Sequence, residues 1–316
     1  MVAKGQRMVV AFAGDRCWGV DGDGKTEIVV APSDDTIRLI DAKGRPRWVI
    51  SAPATYKTKP QVGVWDGRTQ IVVGIHDVGV WSLDQDGNRL WDWPIDRRMS
   101  FATLADINGD GEDEILVNVA GCSLMVLNGL GKELWDANTS QGPSQWRICS
   151  PPAVATIDGQ TTVLMGTERD GLVAMDSTGQ LLWSSAADGV VAGGAVRVET
   201  ADGGRIVYGS TDQHVRCVDD GGNLVWATAL VGSIQATPTV AEIGDGGDLY
   251  ILIGSGRQMS VAVLDIYGNI AAKLPGDAVW GQSVAYTKGD AIYIASDACV
   301  RSVDVAQALD IFRRST

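Results

Sequence analysis

A recurring phrase constrains the fold of this 316-residue chain more than any other feature of the sequence. The phrase is Asp, two residues, Gly, three residues, Trp, and it returns about every 45 residues. Five copies keep the Gly and the Trp, one of them with Asn in place of Asp, and a sixth copy ends in Ala272; they lie at 41–48, 84–91, 128–135, 176–183, 219–226 and 265–272. Since this period divides the chain into about seven units, it predicts a repeat architecture.

Each unit has the same internal order. A short apolar stretch such as QVGVW precedes a polar turn, a β-rich run such as QIVVG, an alternating strand such as VGVWSLD, and the strand that ends at the Trp. Turn signals about every ten residues favour strands over helices. Four antiparallel strands at this period, which also falls within the range of WD40 repeats, predict an all-β, seven-bladed β-propeller that occupies 1–316 as a single domain. Two unrelated β-sandwiches would leave the repeated Trp unexplained.

The residue types of the phrase suit a tight reversal between two strands. Asp hydrogen-bonds its own backbone at a turn, and Gly supplies the positive φ that the turn needs. The Trp is then expected to bury its ring between neighbouring sheets while its N–H reaches a carbonyl group.

The phrase resembles the PQQ-like, or quinoprotein-type, propeller repeat, and the resemblance extends over nearly the whole chain. Relatives with such repeats include an outer-membrane assembly lipoprotein and sensor domains attached to kinases, which implies a binding or scaffolding role. Quinoprotein dehydrogenases of this type are larger and carry an adjacent cysteine pair. No two of the five cysteines here are neighbours, so PQQ is not an expected cofactor.

An acidic loop at Asp106–Glu114 predicts a calcium site. Oxygen-bearing side chains stand at positions one, three, five and nine, namely Asp106, Asn108, Asp110 and Glu114, and Gly111 allows a sharp bend. An EF-hand would need Glu at position twelve, where Val117 stands. The pattern resembles the calcium loop of FG-GAP and integrin-type propellers, and Ca²⁺ is the expected cofactor. An Asx-rich turn without metal is the alternative.

The first unit holds a partial copy of this loop. Asp21, Asp23 and Glu27 align with the last three ligand positions, but Gly19 replaces the first Asp. These residues are included in the predicted metal set, with one ligand fewer. The remnants at 157–159 and 242–248 are interpreted as plain turns.

A second predicted site lies on the face where propellers usually bind. The connections between successive units are cationic and aromatic, against a net charge of −13, and their candidate ligand-binding residues are Tyr56, Lys57, Lys59, Arg97, Arg98, Trp146, Arg147, Gln235, Trp280 and Gln282. Such a face suits an anionic or saccharide ligand. The alternative is that these residues pair with nearby surface acids.

Catalysis is not the favoured interpretation, although the enzyme question stays open. No catalytic triad, P-loop or HExxH motif occurs, and the possible bases are His76, His214 and Tyr56. The predicted function is therefore a non-catalytic, calcium-stabilised binding or scaffolding module. The alternative is a carbohydrate-active enzyme of the polysaccharide-lyase type, with its site on the cationic face.

Charge and composition limit the partners. The net charge of −13 argues against nucleic acid and leaves a protein or a carbohydrate or anionic ligand as the expected partner. No apolar run is long enough for a membrane span. Five cysteines without a CxxC pair indicate buried free thiols. The compartment stays open: periplasmic or extracellular if a signal peptide was removed, otherwise cytoplasmic.

The ends of the chain raise the question of ring closure. Residues 5–9 resemble 179–183, so residues 5–12 are predicted to supply the outer strand of the last blade. In the alternative, Leu309–Phe312 forms that strand itself.

Overall fold

The computed structural model describes residues 8–12, 20, 27–32, 34–41, 43–54, 58–95, 99–119, 123–137, 150–243, 248–255, 260–275, 285–288, 291–295 and 300–304. The chain divides into two compact units, one comprising 1–148 with 177–179 and the other comprising 149–176 with 180–316. Each unit is built from antiparallel sheets whose strands follow one another in chain order.

The first unit contains three four-stranded sheets. The first consists of β1 (Met8–Phe12), β2 (Glu27–Pro32), β3 (Thr36–Asp41) and β4 (Pro46–Ser51). The second consists of β5 (Gln61–Trp65), β6 (Arg68–Ile75), β7 (Gly79–Leu83) and β8 (Arg89–Pro94). The third consists of β9 (Met99–Ala105), β10 (Glu114–Val119), β11 (Ser123–Leu127) and β12 (Glu133–Asp136).

The second unit contains the remaining sheets. The fourth consists of β13 (Ala153–Ile157), β14 (Gln160–Gly166), β15 (Leu172–Asp176) and β16 (Leu181–Ser185). The fifth consists of β17 (Val196–Thr200), β18 (Gly203–Gly209), β19 (His214–Asp219) and β20 (Leu224–Ala229). The sixth consists of β21 (Thr239–Ile243), β22 (Asp248–Ser255), β23 (Ser260–Asp265) and β24 (Ile270–Pro275). The seventh has three described strands, β25 (Ala285–Lys288), β26 (Ala291–Ala295) and β27 (Val300–Asp304).

The burial of each strand follows its place in the sheet. The second strands β6 and β10 contain apolar runs, Ile71–Ile75 and Ile115–Val117, whose successive residues are all buried, as expected for strands covered on both sides. The outermost strands β4, β8 and β20 alternate between exposed and half-buried residues. This alternation has the period of two that a strand with one covered face requires.

The core lies between successive sheets of each unit. In the first unit, Leu39 and Ile71 belong to one cluster that joins the first and second sheets, and Val72 and Ile115 belong to another that joins the second and third. In the second unit, one cluster joins the fourth and fifth sheets and another joins the fifth and sixth. Cys217, the cysteine that the structure describes, is free and buried in the last of these clusters, as predicted.

The predicted Asp-x-x-Gly turn is confirmed. In the first sheet, Asp41 Oδ1 accepts the backbone N–H groups of Lys43 and Arg45, both at 2.9 Å. Gly44 follows with a φ of 77° and donates its N–H to the carbonyl of Asp41. The turn that begins at Asp219 repeats these bonds through Gly221 and Asn223.

Within each unit, the phrase Trp contacts a turn of this kind that lies further along the chain. Trp48 donates its indole N–H to the carbonyl of Gln85 at 2.9 Å, and Trp226 donates to Ile266 at 3.0 Å. A Cβ atom on the turn glycine of the next sheet would lie 2.6–3.1 Å from the ring, in the pairs Trp48–Gly87, Trp91–Gly131, Trp135–Gly179, Trp183–Gly222 and Trp226–Gly268. Each of these glycines has a φ between 74° and 87°. The glycine therefore serves the fold of its own turn and the packing of its neighbour's Trp.

The predicted placement of residues 5–12 is wrong. β1 pairs antiparallel with β2, from Met8 opposite Pro32 to Phe12 opposite Ile28, and so forms the first strand of the first sheet. This is the place that β5 takes beside β6 in the second sheet. Five backbone pairs with β2 outweigh the local resemblance of residues 5–9 to 179–183. The alternative strand Leu309–Phe312 lies outside the described residues.

Within the described ranges, the structure has no helix long and apolar enough to cross a membrane.

Candidate functional site

The acidic loop of the third sheet is a compact turn held by its own oxygens. Asp106 accepts the backbone N–H groups of Gly109 and Gly111 at 2.7 and 2.9 Å. Asp110 N–H bonds Asn108 Oδ1 at 2.8 Å. The amide nitrogen of Asn108 lies 3.0 Å from Asp110 Oδ2 and 2.8 Å from Glu114 Oε1. The loop thus places two carboxylates, those of Asp110 and Glu114, against one side-chain amide, while Asp106 holds the backbone of the turn.

Glu114 anchors this loop from a buried position at the start of β10. Its side chain is nearly inaccessible to water, and its Oε2 accepts the N–H of Ile107 at 2.9 Å. Burial raises the pKa of Glu114, and the negative charges of Asp110 and Asp106 raise it further, although the bonded N–H groups oppose them. None of the three carboxylates forms an ion pair in the part of the chain that the structure describes. The charged form of Glu114 therefore lacks a counter-charge.

The same loop ties the third sheet to the second. Trp65, the last residue of β5, donates its indole N–H to the carbonyl of Asp113 at 2.6 Å. The N–H of Asp66 bonds the Glu112 carboxylate at 3.0 Å. The conformation of the loop therefore bears on the contact between two sheets.

In the first sheet, the buried glutamate is paired with an arginine. Glu27 is as buried as Glu114, and it accepts the N–H of Val20 at 2.7 Å, again from seven residues earlier. Its other oxygen forms an ion pair with Arg47 at 2.5 Å. The corresponding bulge position of the third sheet is Leu134, which is exposed. Asp21 and Asp23 lie outside the described residues.

Metal binding by either loop stays a prediction. Across the described ranges, no three His, Cys, Asp or Glu side chains converge as a metal-binding group. The donor set of the Asp106–Glu114 loop nevertheless fits Ca²⁺, because it offers three carboxylates and an amide oxygen without a protein cation.

Two residues of the predicted cationic face can be located. Lys59 is exposed after β4, and Gln235 is exposed between β20 and β21, with its amide 3.3 Å from Ser233 Oγ. The other predicted residues of this face lie outside the described residues: Tyr56, Lys57, Arg97, Arg98, Trp146, Arg147, Trp280 and Gln282. A ligand site on this face stays a prediction.

A buried ion pair fixes the β18–β19 turn near His214. Arg216 donates two hydrogen bonds to Asp212, at 3.0 and 2.6 Å. Burial raises the pKa of Asp212, but the Arg216 guanidinium and the bonded N–H groups of His214 and Asp188 outweigh burial and bring the pKa to about 2. His214 lies half-buried with Nδ1 3.0 Å from the carbonyl of Asp212, while His76, the other candidate base, is half-buried just after β6. The observed bonds of Arg216 and His214 serve to hold this turn.

Exposed aliphatic side chains recur on the outermost strands. The residue before the phrase Trp is exposed in four sheets, as Leu90, Leu134, Leu182 and Val225. In the second unit the residue before it is exposed as well, so that Leu181 adjoins Leu182 and Leu224 adjoins Val225. Trp183 donates its N–H to Asp220, in the turn that leads into β20, so these two apolar pairs lie on successive, directly linked strands.

A pocket of about 290 Å³ opens beside β20 in the second unit. Val225 and Trp226 line it from β20, and Tyr267 lines it from the β23–β24 turn. Its charged groups are Asp202 and Arg205, from the β17–β18 hairpin and β18, and Asp248, from the start of β22. The pocket thus combines aromatic walls with two carboxylates and one guanidinium.

Sequence reasoning missed this pocket. Its lining is spread over residues 200–267 and comes from strands and turns of two successive sheets. One signal was present, because the residue before the turn glycine is small or charged in most copies but is Tyr267 in the sixth and Leu130 in the third. Both are highly exposed.

Family models match two separate parts of the chain. The model described as "Outer membrane protein assembly factor BamB" matches residues 168–244, and the model of the lambda-carrageenase beta-propeller domain matches residues 70–150. No curated protein matches the chain significantly. With the strands described above, these matches show β-propeller repeats of the PQQ-like type.

Solved structures extend the similarity over most of the chain. BamB from Moraxella catarrhalis is 17% identical with a TM-score of 0.66, over 89% of this chain and 79% of that one. Sqt1 from Saccharomyces cerevisiae is 15% identical with a TM-score of 0.69, over 89% and 80%. BBS1N, crystallised in complex with ARL6DN, is 13% identical with a TM-score of 0.62, over 93% and 89%. At these identities the likeness is one of fold.

Proposed function

We propose that this chain is a non-catalytic, seven-bladed β-propeller domain that binds another protein through the outer strands of its fourth and fifth sheets. Six sheets of four strands and a seventh with three described strands support seven blades. A propeller of this kind presents outermost strands whose backbone edges and side chains are available to a partner.

The observation that carries the proposal is that β16 and β20 each expose two adjacent aliphatic side chains, Leu181 with Leu182 and Leu224 with Val225. Leu182 and Leu224 are 52% and 59% exposed, and each has an exposed aliphatic neighbour. Single exposed apolar residues are common on soluble proteins, but adjacent ones on linked strands mark an interaction surface. Such side chains on a sheet edge also favour unwanted association, and a bound partner would cover them.

The similar proteins support the same choice. The assembly-factor model covers residues 168–244, which include all four of these aliphatic residues. The structure of BBS1N contains a bound protein, ARL6DN. The exposed outer strands described above are compatible with a protein-binding role of this kind.

We also propose that Ca²⁺ stabilises the domain through the loop of the third sheet. Asp106, Asn108, Asp110 and Glu114 would hold the ion with hard oxygen ligands. Its positive charge would offset the three carboxylates and the burial of Glu114, whose pKa is raised. Because the loop bonds Trp65 and Asp66, a bound ion would also stabilise the contact between the second and third sheets.

The protein-binding proposal can be tested with a photo-cross-linking amino acid at position 182. A partner captured from native extract would be identified, purified and measured directly against the wild-type chain. Replacement of both Leu182 and Val225 by Lys should weaken that binding at least about tenfold, since charge would enter an apolar contact.

The matched control carries Lys at Leu90 and Leu134, the same phrase positions in the first unit, and should bind as the wild type does. Both double variants should keep the wild-type melting temperature, because the replaced side chains are about half exposed. Equal affinity of the two double variants for the purified partner would refute the proposed surface.

A further inference from the structure

The pocket beside β20 holds an exposed tyrosine on a rigid support. Tyr267 is 70% exposed, yet its backbone is fixed on both sides. Its own N–H bonds Asp265 Oδ1 at 2.9 Å, and the carbonyl of Ile266 accepts the Trp226 indole N–H. Gly268 packs on the Trp226 ring. A large aromatic side chain on so fixed a turn loses little conformational entropy when it is covered, which is the property of a contact platform.

The charges around this platform are predominantly negative. Asp202 and Asp248 are both exposed, and neither forms an ion pair within the ranges that the structure describes. Arg205 is half-buried, donates to the carbonyl of Gly204 at 2.9 Å, and lowers the pKa of Asp219 through its charge. Two carboxylates beside a tyrosine face favour a cation.

The size of the pocket restricts the occupant further. At about 290 Å³ it falls just below the roughly 300–1,000 Å³ of sites that enclose small-molecule ligands. Val225 and Trp226 offer an apolar wall for an aliphatic stem, and the carboxylates of Asp202 and Asp248 line the same pocket. Lys and Arg have this construction, with an apolar stem and a charged end.

We propose that this pocket binds an Arg or Lys side chain of the partner protein that covers the outer strands. The stem would lie along Val225 and Trp226, and the charged end would meet Tyr267, Asp202 and Asp248. The proposal rests on the proposed function, because β20 contributes both to the pocket wall and to the proposed protein-binding surface, through the exposed side chains of Leu224 and Val225. The excess of acidic residues in the chain as a whole also favours a basic partner surface.

Three probes separate the possible occupants. They are the peptide acetyl-GLRLG-amide, the same peptide with neutral citrulline in place of arginine, and cellohexaose as a saccharide. The readout is the NMR signal of the Trp226 indole N–H, which lies in the pocket wall. The arginine peptide should shift this signal with a Kd on the order of 1 mM, as expected of a small exposed site, and added salt should weaken it.

Variants of the pocket provide the matched controls. Tyr267→Ala and the double change Asp202→Asn with Asp248→Asn should each weaken the arginine peptide at least about fivefold. Leu130→Ala changes the equally exposed residue at the same phrase position of the third sheet and should leave binding unchanged. Melting curves of all variants should match the wild type, since the replaced side chains are exposed.

Each other outcome overturns the inference. Equal binding of the citrulline peptide would show that charge is not recognised, and binding of cellohexaose alone would assign the pocket to saccharides. Absence of any shift would remove it as a site. If position 182 still cross-links a partner whose affinity falls in the Leu182 and Val225 double variant, the proposed function stands while the pocket inference fails.

Discussion

Glu27 and Glu114 begin β2 and β10, the second strands of the first and third sheets, and both are buried, but their electrostatic surroundings differ. Glu27 and Glu114 both accept a backbone N–H from seven residues earlier. In the first sheet a protein cation, Arg47, completes the arrangement. In the third sheet Leu134 stands at that position, and Asp106 and Asp110 add negative charge instead.

The same position of the repeat can therefore hold a buried glutamate with a protein cation or without one. The second sheet offers a third arrangement, because Gln70 takes the position of the glutamate and accepts the Ser82 hydroxyl at 2.6 Å without any charge. A buried carboxylate needs a counter-charge, whether from an arginine or from a bound ion. We therefore expect the stability of the third sheet to depend on the concentration of calcium in the solvent.

The largest expected effect is that of calcium. Saturating Ca²⁺ should stabilise the wild type by about 2.7 kcal/mol when its free concentration is 100 times the Kd. Chelator should reverse the gain, and Asp110→Ala should abolish it. Thermal melting with calcium and with chelator measures the effect, and Asp86→Ala, which removes an exposed turn carboxylate of the second sheet, is the control. A wild-type melting temperature that chelator does not change would contradict the metal site.

The next largest effect is expected for Arg47→Leu, which gives the first sheet the residue type of the third. It should destabilise the protein by about 2 kcal/mol, less than the roughly 3–5 of a fully buried pair, because Arg47 is 40% exposed. Urea unfolding measures the change. Arg45→Leu is the matched control, since its partner Asp41 is paired at the surface and the loss should be clearly smaller than that of Arg47→Leu. Equal losses of stability in the two variants would show that the burial of Glu27 does not increase its dependence on an arginine partner.

The reverse exchange, Leu134→Arg, should have a smaller effect. In chelator it should stabilise the protein by about 1 kcal/mol by supplying the missing cation, and it should weaken calcium binding. Leu90→Arg places the same change in the second sheet, where Gln70 is neutral, and should give no gain. Calorimetric titration with Ca²⁺ together with urea unfolding tests both variants. If Leu134→Arg leaves the calcium affinity unchanged, Glu114 is not part of the calcium site.

The smallest effect concerns single amide groups. Calcium should slow hydrogen exchange at Ile107, Gly109 and Gly111, whose N–H groups bond Glu114 and Asp106. The amide of Val20, bonded to Glu27, should exchange at the same rate with or without the ion. Hydrogen–deuterium exchange resolved by residue provides the measurement. Equal protection of both loops would place calcium in the first sheet as well.

The sequence predicted the features that depend on local chemistry. The Asp-x-x-Gly turns and the strand order within each sheet follow from residues a few positions apart. The placement of residues 5–12 failed because strand pairing is decided by partners far along the chain, here Val9 opposite Ala31 and its neighbours. The Trp226 and Tyr267 pocket was missed for the same reason, since its walls come from separate sheets.

The contact between each phrase Trp and the next turn glycine has a consequence for how such a chain can lengthen. Because Trp183 packs on Gly222 and Trp226 on Gly268, the fifth repeat carries one half of each of two similar joints, and the second, third and fourth repeats do the same. The sixth repeat ends in Ala272 and lacks the Trp half. A gene segment of one period, inserted or removed within the first five repeats, would restore a matching Trp–Gly joint at its boundary. Change by whole repeats therefore preserves every joint, whereas loss of a few residues from a turn breaks one, so duplication is the route by which this architecture can grow.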